Sequence, residues 1–386
     1  MDYGFTDEQK EIVELTSKIA REKILPVRAE LDETEEFPWD VMNVLADAGL
    51  FGIYIPEEYG GLGFGNLENC LAIEELSKYC IGVSVSFAAS GLGAYPILLH
   101  GNEEQKKTYL PQIASGKKLA AFGLTESGAG SDAAAIRTTA VRDGNDYILN
   151  GVKQWITNGG EAEIYSVIAK TDKSKGARGA SAFIVEKDTP GFTFGKKEKK
   201  MGIRTSATRE LVFEDCRVPK ENMIGREGVG FIVTMKTFDQ TRPGIAIQGV
   251  GLAQGALDAV IEYGRERKTF GKPIIAHQAV QHMIADMATE IEAARALTYL
   301  AARTADNNSN DLSKVSSMSK LFATDVAMRV TTDVVQIFGG YGYMRDYPVE
   351  KMMRDAKIII VSNDVDRNIN LNSLLVSKPD SLFHLR

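Results

Sequence analysis

The sequence predicts an α+β protein with an N-terminal α-helical domain, a middle β-domain of barrel or sandwich type, and a C-terminal four-helix bundle. Apolar residues recur at helical spacing toward both ends of the chain. Between these ends lie short runs of β-branched and aromatic residues, separated by turn signals. These two patterns place the domains at residues 1–118, 119–230 and 231–386.

The N-terminal zone begins with a helix signal. Thr6-Asp-Glu-Gln9 has the form of a capping box, in which two side chains satisfy two free backbone N–H groups. Ile12, Leu15 and Ile19 then follow at helical spacing. Further helices are predicted over residues 41–50, 66–78 and 103–115.

An uncharged run from Cys80 to Gly101 requires a test as a membrane span. It contains no Asp, Glu, Lys or Arg, but it does contain Pro96, four glycines and three serines. A spanning helix needs about 20 mostly apolar residues. We therefore expect a buried helix of the protein core and no membrane span.

The middle zone is rich in strand-forming residues. The runs predicted as strands are AAFGLT, DYILNG, IYSVIAK, ASAFIVEKD and ELVFED. The turn signals are Asp143-Gly144, Asn150-Gly151, Asn158-Gly159-Gly160 and Pro190-Gly191. The C-terminal zone has no proline between Ile274 and Tyr347, so long helices are permitted there.

Composition excludes several classes of protein. The 386 residues are 44% hydrophobic and 25% charged, which is ordinary for a globular chain and unlike a disordered or collagen-like one. A net charge of −7 argues against a nucleic-acid partner, because phosphate binding needs a basic face. Three scattered cysteines favour a reducing compartment, and the acidic start lacks the form of a signal peptide. We therefore expect a cytoplasmic protein.

One glycine motif has a structural interpretation. Gly249-Val-Gly251-Leu-Ala-Gln-Gly255 is close to a dinucleotide fingerprint, but its last spacing is one residue too long and no predicted strand precedes it. Close helix packing at small residues explains it better. His277 and His282 do not form a zinc motif, and no metal site is predicted.

Five segments, taken together, are informative about function. They are Phe122–Asp132 (FGLTESGAGSD), Gln154–Gly160 (QWITNGG), Phe238–Pro243 (FDQTRP), Arg265–Lys272 (RERKTFGK) and Gln336–Gly340 (QIFGG). In this order and spacing the chain resembles the acyl-CoA dehydrogenases over nearly its whole length. The resemblance implies an FAD cofactor, a role in fatty acid metabolism and assembly as a homotetramer.

The resemblance assigns the first two segments to the flavin. Phe122, Leu124 and Thr125 would line it, since a glycine-rich turn allows close approach of the backbone. Trp155 would cover the ring system, and Thr157 would hydrogen-bond near its reactive N5. On residue type alone, Trp155 is more readily a core residue, and the match of the surrounding segment is what favours the flavin role.

The resemblance assigns the Arg265–Lys272 segment to FAD across a subunit interface, and it assigns Gln278 and the Gln336–Gly340 segment to positions around the adenosine half of the cofactor. Arginine suits a pyrophosphate because its planar fork binds bidentately. A solvated basic helix end is the alternative for that segment. The residues implied are Arg267, Phe270, Gln278, Gln336, Gly339 and Gly340.

Four residues are expected to bind the acyl-CoA substrate. Ser131 would contact the CoA phosphate region, although Ser131-Asp132 could equally be a helix N-cap. Asp239 and Arg242 would hold the pantetheine and nucleotide part. Tyr341, with its bulky ring, would help to shorten the acyl pocket toward short or medium chains.

The chain departs from the family at the catalytic base. The usual glutamate lies in a Tyr-Glu-Gly-Thr segment shortly after a stretch like Tyr347–Ile358, but here Asn363 stands at its position and cannot take a proton at neutral pH. A one-residue slip would place Asp364 there. Some family members carry the base on the helix that here holds Thr241, which is not a substitute.

Three explanations of this departure stay open. Asp364 could serve as a shorter, re-aimed base, although it also fits a helix N-cap. The site could run chemistry without the usual α-proton removal. The tail after Ile358 could be foreign, for example through a frameshift.

The resemblance implies FAD-dependent α,β-dehydrogenation of a short- or medium-chain acyl-CoA. Hydride would pass to flavin N5, and electrons would then pass to an electron-transferring flavoprotein. The alternative is a family member that binds FAD and acyl-CoA with absent or altered chemistry.

Overall fold

A computed structural model describes residues 3–361 of the chain. Asn363 and Asp364, the candidates at the catalytic base, lie outside the described residues. The described chain divides into two compact units. The first unit comprises residues 3–20, 70–81 and 242–361, and the second comprises residues 21–69 and 82–241.

Within residues 3–361, helices occupy the N-terminal and C-terminal parts and strands occupy the middle, as the sequence predicts. In residues 3–361 the α-helices are α1 (Asp7–Ile19), α2 (Arg28–Thr34), α3 (Trp39–Asp47), α4 (Asn66–Tyr79), α5 (Ile81–His100), α6 (Glu103–Ala114), α7 (Gly230–Glu266), α8 (Gln278–Asp306), α9 (Leu312–Phe338) and α10 (Val349–Val361). The strands are β1 (Ala120–Gly123), β2 (Thr139–Asp143), β3 (Asp146–Thr157), β4 (Ile164–Lys170), β5 (Ala180–Glu186), β6 (Phe192–Phe194), β7 (Thr208–Pro219), β8 (Met223–Ile224), β9 (Lys268–Thr269) and β10 (Lys272–Pro273).

The predicted capping box at the start of α1 is confirmed. Gln9 N donates to Thr6 Oγ1 at 3.3 Å, and Thr6 N donates to Gln9 Oε1 at 3.0 Å. A second box that the sequence analysis missed opens α6, where Asn102 and Gln105 exchange the same pair of bonds. Both boxes satisfy backbone donors that a helix start leaves free.

The uncharged run forms α5, a helix of 20 residues whose most apolar 18-residue window has a mean hydropathy of 1.5. Of its most apolar window, 78% is buried inside the structure. The longer helix α7 passes the same test of length and apolarity, and 61% of its most apolar window is buried. Burial by protein explains the apolar composition of both helices, as predicted for α5.

The second unit contains an eight-stranded sheet in the order β6-β7-β3-β2-β4-β5-β8, with β1 added parallel to β4. Every residue of β4 is buried, because elements cover it on both faces. The five predicted strand segments correspond to β1, β3, β4, β5 and β7. The sequence analysis missed β2, β6 and β8, of which β6 and β8 have only three and two residues.

The predicted turn at Asn150-Gly151 is wrong. Both residues lie inside β3, where the pairing with β7 shifts register between Leu149 and Gly151. A Cβ on Gly151 would lie 2.7 Å from Thr138 Oγ1, so glycine is needed for close approach of the neighbouring chain. The other three turn signals do lie at connections between strands, with Asp143 as the last residue of β2.

The first unit is built on α1, α4 and α7–α10. Within it, α7 crosses α4 at very short range, since a Cβ on Gly251 would lie 2.4 Å from the carbonyl oxygen of Glu74. A Cβ on Gly255 would lie 2.1 Å from the carbonyl oxygen of Lys78. The glycine motif therefore serves helix packing, as predicted.

Candidate active site

In the second unit, Phe122, Leu124 and Thr125 lie at the end of β1 and in the loop that follows. The rings of Phe122 and Phe238 meet edge to face, with centroids 5.8 Å apart. Gln154 N donates to the Thr125 carbonyl oxygen at 2.8 Å. This bond joins the two segments that the sequence assigns to the flavin.

Trp155 has an unusual backbone and an unusual environment. Its φ is +58°, in the left-handed region that a bulky side chain rarely adopts. The residue lies where the pairing of β3 with β7 shifts register between Lys153 and Ile156. Its side chain is 57% exposed, so the core-packing interpretation of Trp155 is wrong. An exposed indole held in a strained conformation indicates a functional surface.

A buried ion pair lies directly beneath these segments. Lys153 Nζ donates to Glu126 Oε1 at 2.7 Å and to the Leu124 carbonyl oxygen at 3.1 Å. Burial lowers the pKa of Lys153 to about 8, and the Glu126 charge opposes that shift only in part. Burial by itself would raise the pKa of Glu126, but Lys153 and backbone donors outweigh it and lower that pKa.

The Glu126 carboxylate also orders the rest of its loop. It accepts hydrogen bonds from the backbone N–H of Arg137 at 2.6 Å and of Thr138 at 3.0 Å. The sequence analysis did not assign a role to Glu126 or Lys153. The sequence did contain a signal for this pair. Glu126 lies within the first flavin segment, and Lys153 directly precedes the second.

Ser131 lies exposed in the loop that Glu126 orders. Asp132 occupies the N-cap position of the short 3₁₀-helix Ala133–Ala135, but its side chain makes no capping hydrogen bond there. Asp239 and Arg242 are three residues apart on α7, and both are buried. Thr157 is half-buried and pairs with Thr208 across β3 and β7.

In the first unit, α7 leads into a tight hairpin. Thr269 pairs with Lys272, so only Phe270 and Gly271 form the loop, with φ of +51° and +80°. Positive φ at both loop residues is typical of a type I′ turn, which favours Asn-Gly. Phe270 is 96% exposed in spite of this strain.

An open groove of about 490 Å³ begins beside this hairpin. Four of the predicted residues line it together: Arg267, Gly339, Gly340 and Tyr341. The guanidinium carbon of Arg267 lies 5.3 Å from the centroid of the Tyr341 ring. Phe270, Gln278 and Gln336 are exposed in the same unit but do not line this groove.

Comparison with known proteins identifies the family. The descriptions "Acyl-CoA dehydrogenase, N-terminal domain", "middle domain" and "C-terminal domain" match residues 6–117, 121–216 and 228–362. A probable acyl-CoA dehydrogenase, FadE25, of Mycobacterium tuberculosis (strain ATCC 25618 / H37Rv) is 47% identical over 376 residues, which cover 97% of each chain.

Two solved structures agree with this assignment. Butyryl-CoA dehydrogenase from Megasphaera elsdenii is 46% identical with a TM-score of 0.95, over 97% of this chain and 100% of that chain. A chain of a structure described as the electron transferring flavoprotein of Acidaminococcus fermentans is 50% identical with a TM-score of 0.95, over the same shares. The chain therefore belongs to the acyl-CoA dehydrogenase family and is a flavin-dependent oxidoreductase.

Proposed function

We propose that the protein catalyses the α,β-dehydrogenation of a short- or medium-chain acyl-CoA, with FAD as its cofactor. The observation that carries this proposal is Trp155, an exposed indole at a φ of +58°. A bulky side chain held at positive φ in an exposed position supports the binding of a ligand that covers it. The flat face of the indole suits the planar ring system of a flavin.

The residues present also fit the phosphate half of FAD. Arg267 is exposed and lines the groove, and among residues 3–361 no carboxylate forms an ion pair with it. A guanidinium offers five N–H donors in a planar fork, which matches a pyrophosphate. Arg267, Gly339 and Gly340 would therefore hold this part of the cofactor. The family resemblance also assigns Phe270, Gln278 and Gln336 to the binding of FAD.

The chain's own residues would bind and orient the reactants. Phe122, Leu124, Thr125, Trp155 and Thr157 would fix the flavin, while Ser131, Asp239 and Arg242 would hold CoA. When bound, FAD would supply at N5 an acceptor for the hydride that leaves the β-carbon. A carboxylate placed at the α-carbon would take the proton, and such a base contributes about 10²–10⁴-fold. Asp364 is the candidate for that base.

Three further assignments are part of the proposal. A short acyl chain is supported by the similarity to a butyryl-CoA dehydrogenase. An electron-transferring flavoprotein as the electron acceptor is supported by the similarity to a structure described by that name. A cytoplasmic homotetramer is supported by the composition and by the resemblance to the family.

A second candidate is a protein that binds FAD and acyl-CoA but dehydrogenates little or not at all. Asn363 at the position of the family's glutamate favours this candidate, since an amide cannot accept the α-proton. The two candidates differ in one observable property, the reduction of the flavin by a saturated acyl-CoA.

An anaerobic titration with butyryl-CoA and longer acyl-CoAs tests this property. Bleaching of the visible flavin band supports the dehydrogenase. A perturbed band without bleaching supports the second candidate, and the 3′ end of the gene should then be resequenced. Asp364→Ala should abolish bleaching if Asp364 is the base, whereas Asp366→Ala, a matched control two residues away, should leave it intact. Unchanged bleaching in Asp364→Ala would remove Asp364 from the mechanism.

A further inference from the structure

We infer that Tyr341 is a positioning residue for the cofactor, because its ring holds the Arg267 guanidinium in the groove where the pyrophosphate of FAD would bind. This inference rests on the proposed FAD binding. It gives Tyr341 a role that differs from the shortening of the acyl pocket that the sequence suggested.

The contact itself has the geometry of a cation–π interaction. The guanidinium carbon of Arg267 lies 5.3 Å from the ring centroid of Tyr341, within the range of about 6 Å for this interaction. Both residues line the groove of about 490 Å³, and Arg267 is its only formally charged lining residue in the described part of the chain. An anion that enters this groove therefore meets a single cation, and Tyr341 is the residue against which that cation rests.

The Tyr341 ring is backed by a rigid aromatic cluster. Tyr347 meets it edge to face, with centroids 5.8 Å apart, and Tyr347 in turn packs on Phe338 at 5.3 Å. Phe338 stacks on Tyr263 at 4.1 Å with only 13° between the ring planes. A ring supported in this way loses little further freedom when it orients a neighbour.

The backbone of the loop fixes the position of Tyr341. Gly339 ends α9 with φ +63° and ψ −137°, a conformation that favours glycine. A Cβ on Gly342 would lie 2.6 Å from the Val335 carbonyl oxygen, so this glycine lets the loop fold back against the last turn of α9. The two glycines therefore place Tyr341 beside the end of α7, where Arg267 N is bound to the Tyr263 carbonyl oxygen at 2.9 Å.

Arg267 gains from this support because its side chain is long and exposed. A free arginine side chain loses rotamer entropy when it is fixed. The Tyr341 ring restricts the guanidinium before the anion arrives and leaves its N–H donors available. The benefit should appear in the retention of FAD and should depend on the presence of Arg267.

A double-mutant cycle on the holoenzyme tests this dependence. The readout is the rate of FAD release after dilution, followed by the rise of free flavin fluorescence. Tyr341→Leu should release FAD about two- to fivefold faster than wild type, the size expected for a cation–π contact at an exposed site. Tyr341→Phe keeps the ring and should restore the wild-type rate. In the Arg267→Ala background, Tyr341→Leu should have no further effect.

Tyr343→Leu is the matched control, because Tyr343 lies on the same loop and is 80% exposed. It should release FAD at the wild-type rate. Size-exclusion elution and the melting temperature of each variant separate loss of the contact from loss of assembly or folding. If Tyr341→Leu does not fold, Tyr341→Met, with a flexible side chain of similar length, takes its place in the cycle.

The outcomes separate this inference from the proposed function. Equal release from wild type and Tyr341→Leu, or an equal effect of Tyr341→Leu with and without Arg267, overturns the inference alone. If the protein holds FAD but acyl-CoA does not reduce that FAD, the proposed dehydrogenation is wrong. The double-mutant cycle then still tests the role of Tyr341. A wild type that takes up no FAD overturns both.

Discussion

Lys153 and Glu126 form a buried ion pair that joins the two flavin segments of the second unit. The Lys153 side chain is fully buried, and its Nζ lies 2.7 Å from Glu126 Oε1 and 3.1 Å from the Leu124 carbonyl oxygen. Glu126 in turn accepts two backbone N–H groups from Arg137 and Thr138. One pair of side chains thus fixes the loop after β1 to strand β3.

Loss of one member of this pair should be costly. Glu126→Gln leaves a buried ammonium without its counter-charge and should lower the free energy of unfolding by about 3 kcal/mol. The double variant Glu126→Gln/Lys153→Met should regain part of that loss, because no unpaired charge remains. Urea unfolding monitored by circular dichroism measures both.

The exposed pair Lys175–Asp172 offers a control for this measurement. Lys175→Met should change stability little, because water screens an exposed pair. An equal loss in Lys175→Met and Glu126→Gln would contradict the role of burial.

The lowered pKa of Lys153 predicts a pH dependence of stability. The folded protein releases the Lys153 proton near pH 8, whereas the unfolded chain keeps it to about pH 10.5. Between these values the unfolded state binds more protons, so the Lys153 contribution to stability rises with pH by up to about 3 kcal/mol. Unfolding of wild type and Lys153→Met at pH 7.5, 8.5 and 9.5 measures it. If the difference in the free energy of unfolding between wild type and Lys153→Met stays constant over this range, the pKa of Lys153 is not lowered.

We expect that Trp155 lowers the stability of the folded protein and increases its retention of flavin. Trp155→Gly removes a bulky side chain from a φ of +58° and should stabilise the flavin-free protein by about 1 kcal/mol. The same variant should hold less flavin, while Trp155→Phe, which keeps an aromatic face, should hold more than Trp155→Gly. Flavin content from the visible spectrum and urea unfolding of the stripped protein test both. Full flavin content in Trp155→Gly would show that the indole does not cover the cofactor.

Phe270, in the first unit, is also an exposed aromatic residue at a positive φ, and we expect it to serve binding or assembly rather than the stability of its hairpin. Phe270→Asn creates Asn-Gly, the preferred pair of a type I′ turn, so the hairpin should not be weakened. Because the exposed ring is lost, the variant should retain less FAD or assemble less completely. Light scattering and flavin content measure these effects, and Lys272→Asn, on β10 beside the turn, serves as the control. If Phe270→Asn assembles and holds flavin as the wild type does, the Phe270 ring has no role in either process.

The sequence predicted much of the fold because its signals are local. Hydrophobic spacing and the capping box at Thr6 and Gln9 marked the helices, and β-branched runs marked the longer strands. Short strands such as β8 carry too few residues for a pattern. Asn150-Gly151 carries the signal of a turn, but pairing with β7 on one side and crowding by Thr138 on the other keep it in a strand.

By itself, the sequence determined the order of helices, strands and helices and, through the order and spacing of five segments, the family. Only the tertiary structure decided that Trp155 is exposed rather than buried, that Lys153 pairs with Glu126, and that Tyr341 rests against Arg267. The physical reason is that secondary structure follows from neighbours along the chain. Burial, pKa shifts and ring contacts depend on residues that folding brings together, 27 positions apart for Lys153 and Glu126.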